Sequence, residues 1–197
     1  MMVTGTQGFL IDETVAYWAV QNTTALTEAI MKYPSFIGSS EVVLLVTIII
    51  GIVLLVRFKW RDFFFFFTLS VGGVFLNFIL KIIIQRGRPG DEVSNIEVFN
   101  LNMEMQSYSF PSGHTMRATI FFLFLIYLSY KYMKRTTSQI VSYFVYIFLI
   151  FAVALSRIML DAHFVTDIVG AILISVSWFF ICLYFFYKPK RASFLFS

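Results

Sequence analysis

Five apolar stretches set the terms for this chain: Ser39 to Val56, Phe63 to Ile84, His114 to Tyr130, Ile140 to Leu155 and Phe164 to Tyr187. A bilayer core takes about 20 apolar residues per helix, and each stretch meets or approaches that length. The composition agrees. The 197 residues are 59% hydrophobic and only 13% charged, with 25 Phe and 10 Tyr, whereas soluble domains carry about 25% charged residues. A water-facing fold of this size has nowhere to hide that much aromatic surface. The expected fold is therefore all-α: a polytopic membrane bundle of five transmembrane helices preceded by N-terminal interfacial amphipathic helices.

Basic residues orient the bundle by the positive-inside rule. Arg57, Lys59 and Arg61, then Lys131, Lys134 and Arg135, then Lys188, Lys190 and Arg191 flank alternate connections and belong on the cytoplasmic side. The opposite side holds Lys32, Lys81, Arg86, Arg88, Arg117 and Arg157, and all but one of these crowd helix ends beside histidines and small residues. The net charge of +4 reflects this topology and calls for no nucleic-acid partner. Cys182 is the single cysteine, so no disulfide can form within the chain. The first 38 residues lack a basic n-region and a spanning run, so no cleavable signal peptide is expected. Asp12 reads as the cap of a short helix with Val15, Trp18 and Ala19 on one face; Leu26 and Ile30 repeat the pattern until Pro34 ends it. The Phe63 to Phe67 run reads as a lipid-facing patch. The chain is thus one domain over 1–197, with an interfacial segment (1–38), a bundle (39–187) and a cytoplasmic tail (188–197).

Three clusters of polar residues fall on one side of this bilayer. In KIIIQRGRPGDE, Lys81 and Arg88 are two helical turns apart and share a face, with Pro89 and Gly90 stopping the helix. In SYSFPSGHTMRAT, Ser112 and Gly113 lead into a helix whose free N–H groups and positive dipole end favour an anion, and His114 follows as a group able to donate a proton near neutral pH. In SRIMLDAHFVTD, a tight turn through Met159 to Ala162 lets Arg157 and His163 face one pocket. There His163 and Asp167, four apart, can pair so that the carboxylate holds one ring nitrogen and frees the other for attack. An ionised carboxyl one turn inside a membrane helix is costly unless paired. Three cations, a helix N-terminus and two histidines describe a receptor for a tetrahedral oxyanion with a nucleophile and an acid.

KIIIQRGRP fits Lys, six residues, Arg-Pro; PSGH is present verbatim; SRIMLDAHFVTD fits Ser-Arg, five residues, His, three residues, Asp. In these three motifs, in order and spacing, the chain resembles the type 2 phosphatidic acid phosphatase (PAP2) family of membrane lipid phosphatases over about residues 9 to 187. The resemblance implies His163 as the nucleophile that becomes a phosphohistidine, Asp167 orienting it, and His114 as the acid for the leaving alcohol. Lys81, Arg88, Ser112, Gly113 and Arg157 bind the phosphate, and no metal or other cofactor is implied. Members usually have six membrane helices, and FLIDETVAYWAV follows the first of them. Here that stretch stands almost at the N-terminus, which leaves five spans and an outer N-terminus.

The expected function is hydrolysis of a terminal phosphate or pyrophosphate on a lipid: phosphatidic acid, phosphatidylglycerol phosphate or an isoprenyl pyrophosphate. The site is expected on the non-cytoplasmic face of a bacterial plasma membrane, with the lipid substrate and membrane lipids as partners. Two other classes compete. A non-catalytic phospholipid-binding membrane protein would keep the cations but not two histidines and a spaced Asp. An anion transporter is expected to show inverted repeats or interrupted helices, which are absent from the sequence pattern.

Overall fold

The computed structural model describes residues 9–89, 96–98, 101–103 and 108–188, with the two short strands described by backbone alone. The expected helix stop at Gly90 and the tail charges Lys190 and Arg191 lie outside the described residues. Seven helices follow in chain order: α1 (Leu10–Asn22), α2 (Ala25–Ile37), α3 (Ser40–Val56), α4 (Trp60–Ile84), α5 (Gly113–Tyr132), α6 (Thr136–Met159) and α7 (Val165–Tyr187). A small antiparallel ribbon, β1 (Ile96–Val98) with β2 (Leu101–Met103), lies between α4 and α5 in the sequence; the other regular elements among the described residues are helices.

Four stretches are long and apolar enough to cross a membrane: Ala25–Val56, α4, α6 and α7. The fifth expected span, α5, is less apolar because its first turns carry His114 and Arg117. Its 20 residues at about 1.5 Å rise still give about 30 Å of helix. It is the innermost helix, in contact with α3, α4, α6 and α7, and buries Met116, Ala118, Ile120, Phe122 and Phe124. The outer helices turn their large apolar side chains outward, among them Leu44, Ile48, Phe75, Phe144, Phe148 and Phe185. That inversion of the soluble pattern is what a lipid solvent permits.

The Phe63 to Phe67 run divides by helical period instead of forming one lipid-facing patch. Phe65 and Phe66 are fully enclosed while Phe64 and Phe67 are about half exposed. Phe66 stacks on Phe124 at 4.1 Å between centroids, and Phe65 packs among Phe124, Tyr127, Phe179, Phe186 and Tyr187. Consecutive residues on a helix point about 100° apart, so five phenylalanines cannot share a face.

Three readings of the N-terminal segment are corrected. Asp12 is not the N-cap residue of α1; Phe9 holds that position, and Asp12, three residues in and fully buried, accepts the Phe9 N–H at 3.1 Å. Nor do Val15, Trp18 and Ala19 share one environment, since Ala19 is buried against the bundle and Trp18 turns outward. Pro34 does not end α2, which runs to Ile37 and stops at Gly38. Here Thr24 caps α2 through its hydroxyl, accepting from Thr27 N–H at 3.2 Å. α2 then lies along α6, and α1 touches α6 and α7.

At the end of the bundle away from the histidines, Asp62 of α4 is buried yet fully engaged. It accepts from the Tyr127 hydroxyl at 2.6 Å and Lys131 Nζ at 2.5 Å, and from the hydroxyls of Tyr132 and Tyr187. One carboxylate thereby ties α4, α5 and α7 together. Asp62→Asn is expected to lower stability in detergent by about 2–3 kcal/mol, because bonds to a charged acceptor become bonds to a neutral one. Thermal unfolding followed by circular dichroism reads this, with Tyr132→Phe, which removes one donor of several, costing less.

Candidate active site

The three sequence clusters converge on the segment 108–112 that leads into α5. Lys81 Nζ donates to the Tyr108 carbonyl, Ser109 N–H to the Arg86 carbonyl at 2.8 Å, and Asn77 Nδ2 to the Pro111 carbonyl at 3.1 Å. Ser112 N–H donates to the Asp167 carbonyl at 3.3 Å. Phe110 packs against α7 at Gly170, where an added Cβ would come within 2.4 Å of its ring. Each residue of the segment is thus held by α4, by α7 or by the link between α4 and β1.

Ser112 is the N-cap of α5 but its side chain makes no cap bond; its hydroxyl accepts from Thr115 Oγ1 at 3.1 Å. The hydroxyl is therefore not consumed by helix capping. A Cβ at Gly113 would meet Arg117 Nη1 at 3.2 Å and Asn77 Oδ1 at 3.5 Å, so a side chain there would crowd the helix end where an anion would approach.

Lys81 lies on the last turn of α4, but Arg88 does not share its face. The helix ends at Ile84, and Gln85 turns the chain through the left-handed region (φ 50°). Arg88 reaches the site from the irregular link, where Lys81 and Asp167 are among its electrostatic neighbours. Arg157 comes from the last turn of α6, its Nη1 2.6 Å from Ser35 Oγ of α2. The α6–α7 turn forms as expected through Leu160 to Ala162. Asp161 takes a positive φ of 50°, a conformation that Asp tolerates better than most residues.

His163 precedes α7 and is not a helical residue; Phe164 is the N-cap. Its N–H bonds back to the Arg157 carbonyl at 3.3 Å, so the turn itself joins the two motif residues. His163 Nδ1 lies 3.6 Å from Asp167 Oδ2. Between them stands Ser109, whose Oγ is 2.5 Å from Asp167 Oδ2 and 3.2 Å from His163 Nδ1. His114 has Arg157, Arg117, His163 and Arg88 as electrostatic neighbours. Lys81, Arg88, His114, Arg157, His163 and Asp167 therefore form one cluster, with Ser112 and Gly113 at its helical floor. Burial lowers the pKa of His163 to about 4; the nearby Asp167 carboxylate works against this, and the charges of Arg88 and Lys81 add to it. At neutral pH His163 is an uncharged base.

Four residues of this centre were not assigned from the sequence: Asp12, Arg86, Ser109 and Thr166. Arg86 is buried and bridges two carboxylates, with Nη1 2.7 Å from Asp167 Oδ1 and Nη2 2.6 Å from Asp12 Oδ2. Its Nη1 also donates to Thr166 Oγ1 at 2.6 Å, and its guanidinium stacks over the Phe164 ring at 4.6 Å. Asp12 further accepts from Thr166 N–H at 2.9 Å, Thr166 Oγ1 at 2.8 Å and Phe9 N–H at 3.1 Å. Burial opposes the charge on Asp12, but the bonds from Thr166, Arg86 and Phe9 prevail and hold its carboxyl below the ordinary range. The available signal was an arginine already counted among the outer cations and a carboxylate in the segment read as interfacial.

No group of three or more His, Cys, Asp or Glu side chains arranged to hold a metal ion occurs among the described residues.

Residues 62–191 match the family described as the PAP2 superfamily. The chain is 28% identical over 183 residues to phosphatidylglycerophosphatase B of Bacillus subtilis (strain 168), covering 91% of this chain and 85% of the relative. It is 31% identical over 127 residues to the palmitoyl-protein thioesterase-dolichyl pyrophosphate phosphatase fusion 1 of Schizosaccharomyces pombe, a match that spans 61% of this chain and 19% of that protein. Among solved structures, a transmembrane PAP2 type phosphatidylglycerolphosphate phosphatase from Bacillus subtilis superposes with a TM-score of 0.76 at 27% identity, over 92% of this chain and 87% of the other. Aquifex aeolicus LpxE superposes with a TM-score of 0.65 at 18% identity, a likeness of fold, over 93% and 99% of the two chains.

Arg86→Met strands Asp12 and Asp167 as buried, unpaired charges, and is expected to cost about 3–5 kcal/mol of stability. Adding Asp12→Asn should recover part of that loss, because one of the two orphaned charges is gone. Thermal unfolding of the single and double variants in detergent measures the difference; additive losses would mean that Asp12 and Arg86 are not coupled.

Proposed function

The chain belongs to the PAP2 superfamily, and on that premise we propose that it is an integral-membrane lipid phosphatase working through a phosphohistidine on His163. The observation that carries the reading is the placement of an uncharged, buried His163 beside Asp167 in the same cluster as His114, Lys81, Arg88 and Arg157. Three cations, Ser112 and the Gly113 N–H receive the phosphate's equatorial oxygens, where negative charge is held throughout the transfer.

In the first step the free Nε2 lone pair of His163 forms the N–P bond as the P–O bond to the lipid alcohol breaks. The departing oxygen keeps the bonding pair and takes a proton from His114. In the second step a water, losing its proton to His114, attacks phosphorus, and the N–P bond returns its electron pair to Nε2. His163 thus serves as nucleophile and then leaving group, His114 as acid and then base, and both end as they began.

Phosphatidylglycerol phosphate is the first substrate to test, since the Bacillus subtilis relative that matches most of this chain bears that activity in its name. Phosphatidic acid and isoprenyl pyrophosphates present the same terminal phosphate. Entry from the side of the bilayer is supported by a cavity of about 390 Å³ between α3, α4 and α5. It is lined by Val43, Leu44, Val74 and Phe121, with Asn77 and Arg117 at its polar end, next to Gly113. The positive-inside rule supports a site on the non-cytoplasmic face, since Arg57, Lys59, Lys134, Arg135 and Lys188 flank the connections at the other ends of the helices. A bacterial plasma membrane fits that orientation.

Release of inorganic phosphate from a panel of phosphorylated lipids in detergent tests the assignment and separates it from headgroup binding or anion transport. His163→Ala is expected to lower turnover by about a thousandfold or more; substantial remaining turnover overturns the role. His114→Ala should slow poor leaving groups far more than an activated aryl phosphate, and equal losses would remove it as the acid. Attack needs uncharged His163, and its pKa is displaced downward from 6.5 to about 4. Acidification from pH 7 to about pH 5 therefore leaves the nucleophile intact, and the acidic limb of kcat/KM should lie below about pH 5. A limb centred near 6.5 would contradict the buried setting of His163.

A further inference from the structure

We infer that Ser109 is a positioning residue that links His163 to Asp167, so that the carboxylate steers the imidazole through a serine hydroxyl. The inference rests on the phosphohistidine reading above and adds a member to it. At 3.6 Å, the direct approach of His163 Nδ1 to Asp167 Oδ2 is too long for a hydrogen bond. The two contacts of Ser109 Oγ, at 2.5 Å and 3.2 Å, span that gap. The side chain is fully buried, so no bulk water competes for either contact.

Hydrogen counting fixes the direction of the chain. An ionised carboxylate only accepts, so the one hydroxyl hydrogen of Ser109 goes to Asp167 Oδ2. Ser109 Oγ then has only lone pairs to offer His163, and Nδ1 must carry the ring hydrogen. That tautomer leaves the Nε2 pair free for phosphorus. When Nε2 forms the N–P bond, the ring becomes cationic with its hydrogen still on Nδ1. The positive charge is then met by a hydroxyl already polarised by Asp167, and no proton needs to leave the ring.

The backbone keeps the serine in register. Ser109 N–H is bound to the Arg86 carbonyl at 2.8 Å, and the Arg86 guanidinium holds the other oxygen of Asp167 at 2.7 Å. Asp167 Oδ2 takes a further bond from Phe164 N–H at 3.0 Å. The carboxylate cannot rotate away from Ser109 without breaking contacts to Arg86 and to the start of α7. The neighbouring Tyr108, Phe110, Pro111 and Ser112 are each fixed as described above, so the hydroxyl is aimed by a clamped segment.

The test compares wild type, Ser109→Ala, Asp167→Asn and the double variant in phosphate release, with His163→Ala as the control. Ser109→Ala is expected to lower kcat about ten- to hundredfold, the scale of one hydrogen bond to a charged group, with KM within about threefold of wild type. In the Asp167→Asn background the same change should cost less than about threefold, because the serine acts through the carboxylate. Protein labelled with ¹⁵N-histidine reports on two imidazoles only, since the chain contains two histidines. Wild-type His163 should show the hydrogen on Nδ1, and Ser109→Ala should move it toward Nε2. Should Ser109→Ala unfold in detergent, Ser109→Cys, with a weaker donor of similar shape, carries the same comparison.

An unchanged kcat in Ser109→Ala, a loss carried by KM, additive losses with Asp167→Asn, or an unmoved tautomer overturns the inference. Turnover retained by His163→Ala overturns the phosphohistidine reading instead, so the two failures are told apart by the control.

Discussion

A single guanidinium holds the ends of this chain together. Arg86 lies between Asp12 near the N-terminus and Asp167 in the last helix, and all three side chains are buried. Carboxylates withdrawn from water cost several kcal/mol each unless their oxygens are filled. Here they are filled: Arg86, Thr166 and Phe9 serve Asp12, and Arg86, Ser109 and Phe164 serve Asp167. The same arginine offers its carbonyl to Ser109 N–H, so the segment entering α5 is set by the residue that sets Asp167. Docking of α1, the start of α7 and the aim of His163 are consequences of one charge arrangement.

The two ends of the bundle solve a related problem in opposite ways. At the Asp62 end, three tyrosine hydroxyls and Lys131 converge on one carboxylate, and the surrounding shell is aromatic. That arrangement closes on itself and offers nothing to a ligand. At the other end, among the described residues, the cations Lys81, Arg88, Arg117 and Arg157 gather near His114 and His163, with Asp167 as the carboxylate beside His163. An excess of positive charge in a partly desolvated space is a standing preference for an anion. The apolar helices between the two ends fix their separation.

How much could be read from the sequence varied with the reach of the interaction. Four of the five expected spans are long and apolar enough to cross a membrane, because lipid imposes a minimum length and apolarity on a crossing helix, whereas α5 falls short of that apolarity. The motif residues could be listed because residue types and spacing are local, and the structure brings them into one cluster. The reasons given for their geometry were less secure. Arg88 was placed on a helix that ends at Ile84, and His163 on a helix that begins after Phe164, because no periodic signal marks where a helix in lipid unwinds. Asp12 looked like a cap since its partners lie 74 and 154 residues away, and pattern rules see only a few residues at once. Ser109 stood inside a quoted motif, yet its partners come from α7 and the turn before it, and only the folded chain discloses them.

Those separations also order events in time. Asp12 leaves the ribosome early, Arg86 stands 74 residues beyond it, and Asp167 a further 81. Lys81, Arg88, Ser112 and Gly113, the proposed phosphate-binding residues, are synthesised before His163 and Asp167. Until α7 enters the bilayer, Asp12 and Arg86 can neutralise one another but the second carboxylate is missing. A chain halted before its last span therefore lacks Asp167, the second carboxylate of the bridge and the proposed partner of His163. The ion bridge makes completion of the site coincide with completion of the bundle.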